Sequence, residues 1–113
     1  MCSAQQLGSV MSRLIGDVKT LFDNADMEVI LYGSYARQEA DEDSDVDVML
    51  LLDLPREELT SYRRDVARIA GELLYDYGVV ISPVLENRGF FERNRETYPF
   101  FRNVDREGIR YAS

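Results

Sequence analysis

The chain has 113 residues and a formal net charge of −8, with a single cysteine and no histidine. That length predicts one domain, residues 1–113, able to bury roughly two thirds of the surface its unfolded form exposes, while the acidity opposes binding along free nucleic acid, whose phosphates the protein's own field repels. Cys2 alone supports no internal disulfide, a zinc site would have to be built from carboxylates, and no apolar run or N-terminal signal pattern points to a membrane, so a reducing, cytoplasmic setting is expected.

In chain order, Ser3 followed by Gln6 resembles a capping box, and Leu7, Val10, Met11, Leu14, Ile15, Val18, Leu21 and Phe22 recur at helical spacing, which predicts a helix from about Ala4 to Phe22. Asn24, Ala25 and Asp26 break it. Met27, Val29 and Leu31 then alternate with Glu28 and Tyr32 in a short strand that ends at Gly33. Asp45 to Leu52 reads as a second strand, with an acidic loop in front and Pro55 behind, where a proline can open a helix at its first turn. In that helix Leu59, Tyr62, Val66, Ile69, Ala70, Leu73 and Leu74 form one core-facing stripe, and Gly78 is placed to end it. Val79 to Leu85 is a third strand, which Pro83 confines to a sheet edge or a bulge because proline donates no ladder hydrogen bond. A weaker helical stretch runs from about Phe90 to Arg106, interrupted by Pro99. The 27 residues from Asn87 hold six arginines against four acids, so this tail is expected to lie against the acidic part of the chain.

Within the first 86 residues, which hold 17 acids against seven bases, one run stands out: Glu39 to Asp47 has six carboxylates in nine residues with no base among them. Asp41, Asp43 and Asp45 fall at the first, third and fifth positions of an EF-hand loop, but Val46 stands where a glycine is needed and Leu52 where a bidentate glutamate is needed, so that reading fails. A solvated loop accounts for Glu39, Asp41, Glu42 and Asp43. Asp45 and Asp47 are different. Strand side chains alternate, so the two point to one face about 7 Å apart, and such a pair calls for a cation or water. Divalent ions bridged by the pair would suit phosphoryl transfer, and Mg²⁺ is the expected metal, a hard ion that takes its remaining ligands from substrate phosphates. Gly33 and Ser34, at the end of the preceding strand, offer a phosphate cradle: glycine permits close approach, and the serine hydroxyl and following amides can donate to an anion. Arg37 can reach a phosphate or pair with the acidic loop.

Gly33-Ser34-Tyr35-Ala36-Arg37, seven further residues, then Asp45-Val46-Asp47 resembles the glycine-serine and Asp-x-Asp signature of the nucleotidyltransferase superfamily that includes DNA polymerase beta. The short length is similar to its minimal prokaryotic branch, the MNT proteins. This resemblance implies an α/β (α+β) fold, a small mixed sheet flanked by helices. It also implies transfer of a nucleoside monophosphate, AMP from ATP, to a hydroxyl acceptor, with Asp45 and Asp47 holding Mg²⁺ and Gly33, Ser34 and Arg37 binding the nucleotide. Many minimal members accompany a helical HEPN protein, and some act as antitoxins that adenylylate a tyrosine of that partner.

Two departures from the family pattern stand out. Gln38 occupies a position where the family often has glycine, which predicts a less tight loop. The family's third carboxylate, expected on the third strand, has no clear counterpart: Ser82 falls about where it would sit, and serine cannot accept a proton near neutral pH. Glu86 shares the parity of Ser82 and reads mainly as a solvated strand-end acid, although a bulge at Pro83 would let it swing in. The serine leaves open a second class of function, a binding module that retains the fold and neutralises a partner by occlusion. The aromatic run Tyr98, Pro99, Phe100, Phe101 is expected to close a core or form a partner surface rather than stack on a base.

Overall fold

The computed structural model describes residues 2–111. Helix α1 (Ala4–Leu21) starts where Ser3 accepts the Gln6 amide at 3.1 Å. The Gln6 side chain does not return to Ser3 as a full capping box requires; it donates to the Tyr77 carbonyl at 3.2 Å. Asp23 and Asn24, both in the left-handed region, turn the chain into β1 (Met27–Tyr32). This strand pairs antiparallel with β2 (Val46–Leu52), Tyr32 opposite Asp47.

The helix expected from Pro55 to Gly78 is divided into α2 (Arg56–Thr60) and α3 (Arg63–Tyr77). The Ser61 amide and hydroxyl both turn back to the Glu58 carbonyl, a local bond that competes with the helical ladder and shifts the axis. Leu59, Val66, Ile69 and Leu73 are buried as the stripe requires, whereas Leu74 lies exposed. Gly78, at φ 68°, closes α3.

Strand β3 (Ile81–Asn87) begins two residues later than expected and runs parallel to β2 in unbroken register from Val46 opposite Ile81 to Leu52 opposite Asn87. There is therefore no bulge at Pro83. The Val46 amide donates to the Val80 carbonyl, so even-numbered residues of β3 turn their backbone groups toward β2 and the missing N–H of Pro83 falls on the open edge.

Asn87 accepts the Phe90 amide and so caps α4 (Arg88–Asn94); Pro99 opens α5 (Pro99–Glu107). A three-residue strand that the sequence did not announce, β4 (Ile109–Tyr111), pairs with β1 and completes the sheet order β3-β2-β1-β4. The result is a mixed four-stranded sheet with helices on both faces.

The continuous apolar run of β2 follows from this position, covered on both sides. Val46, Val48, Leu50 and Leu52 face α1 and α3, while Met49 and Leu51 join Ile30 under Phe91, Phe101 and Val104 of α4 and α5. At the other end of this second face Tyr32, Asp47 and Ser82 stay partly exposed. Phe101 is buried, but Tyr98 and Phe100 are exposed, so the aromatic run closes a core with one ring only. The arginine-rich tail lies against acids of the first 86 residues, as its charge suggests, although away from the acidic loop: Arg88 pairs with Asp26 and Asp53, and Arg110 with Glu28. No helix of the described residues is long and apolar enough to cross a membrane.

Candidate active site

Where β1 ends, Gly33 takes φ 76° with its Cα against Asp47; a Cβ built there would lie 2.3 Å from Asp47 Oδ2. Only glycine permits both the turn and that contact. The chain then makes one helix-like turn, with Arg37 N–H donating to the Gly33 carbonyl at 3.0 Å and Glu39 N–H to the Ser34 carbonyl at 2.8 Å. Gln38 sits at φ 59°, the conformation a glycine would take, so the turn is no looser for the substitution expected to relax it. The amides of Ser34, Tyr35 and Ala36 have no protein acceptor among the described residues.

Asp45 lies immediately before β2 rather than inside the strand, which starts at Val46. It still shares a face with Asp47. Ser82 stands directly across from Asp47 in the parallel ladder and donates its hydroxyl to Asp45 Oδ2 at 3.1 Å. Burial raises the Asp47 pKa above the ordinary carboxylate range, the neighbouring Asp45 and Glu107 charges add to the rise, and Arg37 opposes it. The phenol of half-buried Tyr32 is pushed up to about 12 by burial and by the Asp47 charge.

Such a donor set, hard carboxylate oxygens that repel one another on one face, fits a divalent cation. Among the described residues no cluster of three or more His, Cys, Asp or Glu side chains is arranged to hold a metal, so an ion here would complete its shell from substrate oxygens.

Two acids depart from expectation. Glu86, four residues beyond Ser82 and so about 13 Å along the strand, is buried and bound by Arg56 through contacts of 3.0 and 3.3 Å. It is neither solvated nor able to swing to the aspartates. Glu107, absent from the sequence reading, reaches the cradle instead: its carboxylate accepts the Gly33 amide at 3.0 Å and Arg37 Nη1 at 3.1 and 3.2 Å. Its place depends on the short β4–β1 pairing, which the local sequence does not signal. Arg37, paired also with Glu39 at 3.1 Å, thus does contact the acidic loop.

Comparison with known proteins agrees with this geometry. Residues 11–110 match the nucleotidyltransferase domain family. Three proteins of Methanocaldococcus jannaschii, whose names mark them as candidate protein adenylyltransferases, are similar to the chain. One is 30% identical over 98 residues, covering 87% of this chain and 90% of the relative. A second is 36% identical over 70 residues, covering 61% and 68%, and a third 33% over 84 residues, covering 72% and 55%. No solved structure matches. With a glycine-serine turn packed against an Asp-x-Asp strand in a mixed sheet, and with the family match spanning nearly the whole chain, the protein belongs to the minimal nucleotidyltransferases and is a nucleotidyltransferase enzyme.

Proposed function

We propose that the domain transfers AMP from Mg²⁺-bound ATP to a hydroxyl on a partner polypeptide in the cytoplasm, a tyrosine of a HEPN-type protein being the acceptor the resemblance suggests. The observation that carries this reading is the contact of the Gly33 turn with Asp47, which brings the amides of that turn, unpaired among the described residues and suited to a phosphate, beside the aspartate pair. The names of the relatives support AMP and a protein acceptor.

In this reading Asp45 and Asp47 hold the metal, which supplies charge neutralisation on the phosphates. Ser34 and its neighbouring amides, with Arg37, take the β- and γ-phosphates. The acceptor oxygen attacks the α-phosphorus as the bond to the bridging oxygen breaks and pyrophosphate leaves. In-line displacement puts the entering oxygen opposite the leaving group. With the cradle at the end of β1 and the aspartates on β2, the acceptor arrives over β3, past Ser82. Ser82 takes no proton, so the hydroxyl proton passes to solvent and transfer runs slower by about 10²–10⁴, the usual share of a general base.

Ser82 also favours the alternative, a module that binds a partner without modifying it. Incubating the protein with a HEPN-type protein and ATP labelled in the α-phosphate separates the two. Label in the partner, lost in Asp47→Asn and accelerated in Ser82→Asp, is the expected result. Tight complex formation with no label in any variant would leave the binding module.

A further inference from the structure

Two donors that the nucleotide reading assigns to the cradle are already engaged. The Gly33 amide and Arg37 Nη1 both donate to the carboxylate of Glu107, and Arg37 Nε donates to Glu39. Arg37, the cation of the cradle among the described residues, therefore faces two carboxylates of its own, with Asp47 close by. A carboxylate oxygen and a phosphate oxygen ask for the same donors in the same geometry.

Glu107 is also held firmly in place. It ends α5, and the next residue, Gly108, packs so closely that a Cβ there would meet Ile30 Cγ2 at 2.3 Å and the Val104 carbonyl at 2.4 Å. The chain then pairs with β1 through Ile109 to Tyr111. The carboxylate comes from a packed junction rather than a loose loop.

Resting on the nucleotide reading above, we propose that Glu107 is a specificity determinant of the cradle. It stands in for a phosphate, so that an anion without divalent cations is repelled while a metal-charged triphosphate displaces the carboxylate from Gly33 and Arg37. The electrostatics give the direction. A bare polyphosphate must break two charge-assisted bonds and enter among four carboxylates, whereas a nucleotide that brings cations offsets the aspartates as it binds.

The test is calorimetric titration of pyrophosphate in EDTA, ATP in EDTA and ATP with Mg²⁺ into wild type, Glu107→Gln and Glu107→Ala, each variant checked by thermal unfolding. Glutamine keeps an oxygen that can accept from Gly33 and loses only the charge; alanine removes both. The expected result is a gain of about tenfold or more in affinity for metal-free pyrophosphate in both variants, with a smaller gain for ATP with Mg²⁺. Unchanged pyrophosphate binding overturns the proposal. Weaker binding of ATP with Mg²⁺ in both variants overturns it too, and makes Glu107 a positioning residue for Arg37. If wild type binds ATP with Mg²⁺ and the variants gain nothing, only this inference falls; if wild type binds no nucleotide at all, the nucleotide reading falls with it.

Discussion

Gln38 holds a left-handed conformation, φ 59°, that costs a side-chain-bearing residue roughly 1–2 kcal/mol. The turn requires it, since the residues on either side make the bonds back to Gly33 and Ser34. Glycine removes the strain but adds about 0.4–1 kcal/mol of unfolded-state entropy. Gln38→Gly is therefore expected to stabilise the protein by about 0.5–1 kcal/mol in denaturant unfolding; a loss of stability would contradict the strain argument. Asp47 carries a different kind of cost. Its folded pKa lies above its unfolded value, so its contribution is most favourable below the unfolded carboxylate range and is lost as pH rises through the folded pKa. At neutral pH without metal the ionised group is a penalty. Asp47→Asn should raise the thermal midpoint at pH 7, and the advantage should shrink as pH falls through the carboxylate range. An advantage that grew on acidification would reverse the sign. The shared face of Asp45 and Asp47 could be placed from sequence because strand parity is strict, and Gly33 because the alternation of β1 ends there; Glu107 could not, because only tertiary packing brings it to Gly33.

Among the elements, β3 and α2 are joined by a pair whose two ends differ in exposure. Glu86 is 5% exposed, while the Arg56 side chain is 57% exposed and stacks over Phe90 at 3.9 Å. Removing the arginine leaves the buried carboxylate only the Asn87 amide, at 2.7 Å, and no counter-charge, which costs about 1–3 kcal/mol. Removing the charge from Glu86 leaves a solvated arginine and costs less. Arg56→Ala should accordingly destabilise more than Glu86→Gln, and equal losses in denaturant unfolding would show the pair to be an ordinary surface contact. The order of helices and strands was legible because apolar periodicity and the breakers Gly78 and Pro99 mark it. The break between α2 and α3 was not, since the Ser61 hydroxyl competes with a helical ladder that the apolar stripe crosses without interruption. The three residues of β4 give too short a pattern for any period to emerge.

At the scale of the whole molecule, a chain of net charge −8 gathers two carboxylates at the start of β2, and its arginine-rich tail pairs with acids elsewhere in the first 86 residues. That the tail would lie against acids of the first 86 residues was legible from composition; which acids it pairs with was not, because that depends on where α4 and α5 dock. The measurement that reaches this account most directly is calorimetric titration of ATP into wild type, Asp45→Asn and Asp47→Asn, each with Mg²⁺ and with EDTA. The expected result is binding by wild type in Mg²⁺ alone, with binding abolished in both variants while their thermal transitions stay cooperative. Equal affinity in EDTA, or variants that bind as wild type does, would contradict the assignment of Asp45 and Asp47 as the metal-holding pair.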